Sequence, residues 1–142
     1  MSYSFMKQFA GYLPRDLFFP GLAYLAGPAP MEATPKARLA IKRFYDAMKA
    51  ANATVEFSSG VAWDPAAIVV DAYRKLGISA TFDQIRTWIL SQTEYAGISG
   101  VYDFTDKGAG AQRGLTQKDV LIMRWDEGKT AWIPSSKMGG GL

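Results

Sequence analysis

A wide apolar pattern runs from Ala62 to Gly77, AWDPAAIVVDAYRKLG, where Ala66, Ala67, Ile68, Val69, Val70, Ala72, Tyr73 and Leu76 cover most of a helical circumference. The boundary signals agree with a helix starting at Asp64. The Asp64 carboxylate can accept from the free N–H groups of a first turn, and Pro65 suits the first helical position, where its missing N–H is harmless. Arg74 and Lys75 fall in the last turn, and Gly77 fits the left-handed position beyond it. Val69 and Val70 are β-branched and weak helix formers, so packing against a sheet is expected to hold this helix.

The rest of the pattern supplies its neighbours. Ser2 to Tyr12 is expected to be helical, capped by Ser2 or Ser4, with Phe5, Met6 and Phe9 on one face. Leu17-Phe18-Phe19 predicts a short buried strand ending at Pro20-Gly21, and Leu22 to Ala33 a connection with little regular structure. Thr34-Pro35 opens a helix to about Ala51, burying Leu39, Ile41, Phe44, Tyr45, Met48 and Ala51, with Asn52 as its stop. Val55 to Ser59 is expected to be extended. Thr81 with Gln84 forms a capping box for a helix reaching about Gln92, in which Ile85, Trp88 and Ile89 recur at helical spacing. Tyr95 to Phe104 suggests a tight passage through Gly97 and Gly100 into a strand. Thr105 to Leu115 is a Gly-rich polar loop. Val120–Trp125 and Thr130–Pro134 predict a hairpin across Asp126–Lys129, and Met138–Leu142 a frayed tail.

Composition narrows the function. The chain of 142 residues has the size of one domain, and its 49% hydrophobic and 20% charged residues are ordinary for a globular protein. No Cys and no His occur, which removes disulfides, thiolate metal sites, the commonest general base and the commonest metal ligand. An enzyme, a metal and a cofactor are therefore not expected. The net charge of +3 is modest, and Lys36, Arg38, Lys42, Arg43 and Lys49 are spread along a helix as a solvated face, so no nucleic-acid partner is expected. No apolar run is long enough for a membrane span, and MSYSFMKQFAGYLP lacks the charge-then-apolar order of a signal peptide, so the chain as given is expected in the cytoplasm.

Individual motifs carry little chemistry. Gly108-Ala109-Gly110 and Gly97-Ile98-Ser99-Gly100 match neither a P-loop nor a dinucleotide fingerprint, and both lead towards strands rather than a helix N-terminus. Asp103, Asp106 and Asp119 lack EF-hand spacing, and turn chemistry accounts for Asp106. Asp64 and Asp83 suit first-turn positions, and Asp71 can pair with Lys75. Trp63, just before the expected cap, is a candidate to flank a small anion at a helix mouth, or else a hydrophobic staple.

Taken in order, YLPRDLFFPG (12–21), FYDAMKAA (44–51), AWDPAAIVVDAYRKLG (62–77), AGISGVYDF (96–104), RGL (113–115) and IMRWDEGKTAWIPSS (122–136) resemble the C-terminal portion of a type I periplasmic solute-binding protein, of the branched-chain amino acid class serving ABC transporters. The resemblance implies an α/β fold of helices packed on a sheet with a closing β-hairpin, as a single partial domain of an incomplete two-lobe architecture. It implies a periplasmic receptor for branched-chain or aromatic amino acids or related carboxylates, with an ABC permease as partner; most ligand contacts of such receptors come from the portion not represented here, so ligand binding by this chain alone is expected to be impaired. Ligands of such sheets lie beyond the carboxyl ends of strands, which makes Ser2, Tyr3, Phe19 and Trp63 the cleft candidates. A piece of this fold leaves apolar faces and strand edges uncovered, so self-association is expected, and with it the alternative of an interaction or sensory module acting through oligomerisation.

Overall fold

The computed structural model describes residues 3–108 and 114–141. The fold is mixed α/β, with four α-helices and two small antiparallel sheets among the described residues. The helices are α1 (Tyr3–Gln8), α2 (Pro35–Ala50), α3 (Phe57–Leu76) and α4 (Phe82–Leu90). One sheet has the order β1 (Phe18–Gly21), β4 (Leu121–Asp126), β5 (Ala131–Pro134), and β2 (Tyr95–Ala96) pairs with β3 (Val101–Tyr102) in the other. No described helix is long and apolar enough to cross a membrane.

The strong strand signal becomes β4. Leu121, Met123 and Trp125 alternate into the core, and Trp125 lies opposite Trp132 of β5 with ring centroids 5.2 Å apart. β1 pairs with the other flank of β4, matching Phe19 to Met123, but it is an edge strand whose Phe18 is more exposed than buried. The core continues through Met6, Ile41, Phe44 and Ile98.

The segment expected to be an irregular connection is central to that core. Ala23–Ala26 forms a 3-10 turn that buries Ala23, Tyr24 and Leu25. Three tyrosine hydroxyls tie it down. Tyr24 donates to the Phe57 carbonyl at 3.0 Å, Tyr45 to the Tyr24 carbonyl at 2.9 Å, and Tyr3 to the Leu25 carbonyl at 2.8 Å.

Caps were legible. Thr34 caps α2, accepting from the Ala37 N–H at 3.2 Å, and Asn52 takes a left-handed φ of 50° past its end. Thr81 and Gln84 close the expected box on α4, which ends at Leu90 rather than Gln92. Apolar faces were less legible. α2 buries Ala37, Ile41 and Phe44, while Leu39 and Ala51 are exposed, and Met6 of α1 is buried whereas Phe5 and, just past the helix, Phe9 are exposed. The tail expected to fray carries a 3-10 turn at Met138–Gly140, and its Gly139 N–H donates to the Val120 carbonyl at 2.8 Å.

The largest departure concerns α3. It begins at Phe57, two turns before Asp64, so Val55–Ser59 is not an extended approach and Asp64 is not a cap. Glu56 is the N-cap residue, with its N–H donating to Ser59 Oγ at 2.9 Å. Pro65 sits inside the helix, where it cannot donate to the Val61 carbonyl; Val61 lies on the exposed side. Nor is most of the circumference buried. Gly60, Asp64, Ile68 and Ala72, four residues apart, form one narrow buried stripe.

Candidate functional site

The stripe places within the helix, among buried positions, the carboxylate that was expected to cap it. Asp64 is 4% exposed, and it reaches from mid-helix to the loop between β2 and β3. Its Oδ1 accepts from the Ile98 N–H at 2.8 Å, and its Oδ2 from the Ser99 N–H at 2.9 Å and the Tyr102 hydroxyl at 2.7 Å. Three donors converge on one charge, a charge-assisted arrangement that compensates its burial. Gly97 makes the approach possible, because a Cβ there would stand 2.6 Å from Asp64 Oδ2 and 2.5 Å from the Tyr102 ring. The glycines at 97 and 100 therefore each admit a carboxylate belonging to the chain itself, Gly97 that of Asp64 and Gly100 that of Asp119, whose Oδ1 would stand 2.5 Å from a Cβ there.

Two cavities flank this latch. A groove of about 390 Å³ lies between α2, α3 and β2, floored by small residues such as Ala40, Ala66 and Ala67 and walled by Trp63 and Val70. Besides Asp64, its polar side chains include Arg43, Asp71, Arg74 and Tyr95. Asp71 is already committed, with Oδ1 3.0 Å from Arg74 Nη1 and Oδ2 accepting from the Tyr95 hydroxyl at 3.1 Å. The ion pair expected with Lys75 is thus made with Arg74, one residue earlier on the same face. Arg43 makes no ion pair or hydrogen bond among the described residues and remains a cation on the rim. The second cavity, a slot of about 270 Å³, lies on the other side of Asp64 against Pro65, Ile68, Ile89, Tyr102 and Phe104.

The tyrosines around the latch are held protonated. Burial raises the Tyr102 pKa, reinforced by the adjacent Asp64 charge, and burial raises that of Tyr95, reinforced by its hydrogen bond to Asp71. Both serve as donors here.

The four cleft candidates separate. Trp63 lines the groove and packs edge-on against Phe44 at 5.0 Å, inside the helix rather than ahead of a cap, so it is no hydrophobic staple. Tyr3 and Phe19 come together elsewhere, at the start of α3. The Tyr3 N–H donates to Glu56 Oε2 at 2.7 Å, Phe19 contacts Phe57 and Trp132, and the Tyr3 ring faces Trp125. Ser2 lies outside the described residues, as do Ala109 and Gly110 of the second glycine motif and Arg113 of RGL. Sequence reasoning missed Arg43, Asp71, Arg74 and Tyr95 as one group. The signal available was the spacing of Trp63, Val70 and Arg74 on a single face of α3, apart from the stripe of Asp64.

The three aspartates weighed as a cation site have local roles. Asp103 accepts from Thr105, Asp106 from the Gly108 N–H and Asp119 from the Thr116 N–H, and no acidic cluster suited to a metal occurs among the described residues. Comparison with protein-family models, curated proteins and solved structures finds no match to this chain.

Proposed function

We propose that this chain captures a small carboxylate-bearing solute, without making or breaking a bond, as the solute-binding component of an ABC importer working in the periplasm. The sequence pattern resembling the C-terminal portion of a type I periplasmic receptor supports this reading, and in that architecture a second lobe closes over the solute by hinge motion. The observation that carries it is Arg43. A guanidinium with no counter-ion among the described residues stands at the rim of an apolar groove beside an indole, in a cavity within the roughly 300–1,000 Å³ range of small-molecule sites. An amino acid fits this chemistry. Its carboxylate would take Arg43, its side chain the wall of Trp63 and Val70, and its ammonium the outer edge of Asp71.

Calorimetric titration with leucine, phenylalanine and 4-hydroxybenzoate tests the reading. Saturable binding is expected, weakened about tenfold by Arg43→Ala, the loss of one exposed charge-assisted contact. Heat of dilution alone for all three solutes would overturn it.

A second reading is favoured by one observation. Ile78 and Phe82, at the turn between α3 and α4, are 94% and 87% exposed, which is unusual for neighbouring large apolar residues. They suit an interaction module that associates with itself. Light scattering over a wide concentration range is then expected to show an oligomer that Ile78→Ser with Phe82→Ser converts to monomer; a monomeric mass throughout would remove this reading.

A further inference from the structure

The groove and the slot are adjoining compartments. Both are lined by Asp64 and Tyr95, the groove along Trp63, Ala67 and Val70 of α3, the slot along Pro65 and Ile68. On a helical projection these two sets occupy neighbouring faces, with the Asp64 line between them. Tyr95 borders both compartments; its hydroxyl is held by Asp71 through one hydrogen bond of 3.1 Å, and its ring centroid lies 6.3 Å from that of Tyr102.

The chemistry of the two compartments differs. The slot is walled by Ile68, Ile89 and the parallel rings of Tyr102 and Phe104, whose centroids are 5.4 Å apart. The polar side chains reaching it are spoken for. Asp64 accepts three hydrogen bonds, the Tyr102 hydroxyl donates to Asp64, and the Tyr95 hydroxyl donates to Asp71. A water there would find few of the two to four partners that hold buried water in place. An apolar group meets no such penalty, and it gains the contacts that an unfilled cavity lacks.

We infer that the slot is the subsite for the solute's apolar tail and that Tyr95 gates it, so that the preferred ligand is a carboxylic acid with an extended aryl or alkyl chain. The acid group stays on Arg43 in the groove. The tail crosses where Tyr95 gives up its hydrogen bond to Asp71 and turns aside. This inference rests on the solute-binding reading and sharpens its substrate class.

Titration with benzoate, 3-phenylpropionate and 5-phenylvalerate tests it. Affinity is expected to rise along the series, by up to roughly fourfold for each methylene buried. Ile89→Trp, which fills the slot from α4, is expected to abolish that rise while benzoate binds as before, and unchanged benzoate binding also shows that the variant is folded. Independently of any variant, ring-proton shifts of Tyr102 and Phe104 are expected with 5-phenylvalerate and not with benzoate. Equal affinities across the series, or a rise that survives Ile89→Trp, would overturn the slot assignment and leave solute binding standing. If no acid binds, both fall.

Discussion

Asp64→Ala is expected to lower stability by about 3–5 kcal/mol, because three donors that the buried carboxylate satisfies lose their acceptor together. The mechanism is specific. Alanine abandons three donors at once: the Ile98 and Ser99 N–H groups and the Tyr102 hydroxyl. The two amides belong to buried residues, so water cannot easily replace the carboxylate. Each unsatisfied buried group costs roughly 1–3 kcal/mol. Asp64→Asn retains an acceptor oxygen but turns an amide N–H₂ towards donors, so its loss is expected to be smaller than that of alanine but clearly measurable. Urea denaturation midpoints check both, and a loss under about 1 kcal/mol for Asp64→Ala would contradict this account of the latch. The β2–β3 hairpin carries Tyr95, so faster amide hydrogen exchange at Ile98 and Ser99 is expected alongside the thermodynamic loss.

The same residue shows where the sequence was legible and where it was not. Thr34, Asn52, Thr81 and Gln84 were readable because capping is local chemistry, settled within three or four residues. The β4–β5 hairpin was readable because alternation and its turn lie together in the chain. Asp64-Pro65 carried an equally good local start signal, yet α3 runs through it. The earlier start is stabilised at long range, by Tyr24 over Gly60 and by Tyr3 on Glu56, across separations that periodicity does not report. The groove was hidden for a related reason. Its cations and its Asp71–Tyr95 contact come from α2, α3 and β2, and of the cleft candidates among the described residues only Trp63 lies on it. What was readable was the solvated basic face of α2. That one of its members, Arg43, borders a cavity follows from how α2 crosses α3.

Gly60→Ala is expected to destabilise the protein by about 2–4 kcal/mol, even though alanine is the better helix former by roughly 1 kcal/mol. Propensity loses because of what a Cβ would meet. It would overlap the Cζ, Cε2 and hydroxyl oxygen of Tyr24, a fully buried ring. That ring has little freedom to retreat. Its hydroxyl is tied to the Phe57 carbonyl at 3.0 Å, and it packs edge-on against Phe44 at 6.0 Å. Moving it gives up a hydrogen bond worth about 1 kcal/mol and disturbs the 3-10 turn on which Tyr45 also depends. The decisive comparison is a double-mutant cycle with Tyr24→Phe, which removes one of the overlapping atoms. Tyr24→Phe alone is expected to destabilise modestly, and together with Gly60→Ala to give a total loss clearly smaller than the sum of the two. Additive losses would mean that the overlap is relieved some other way. A variant as stable as the wild type would mean that α3 can slide off Tyr24 without penalty, and that the early start of the helix is not fixed by this contact.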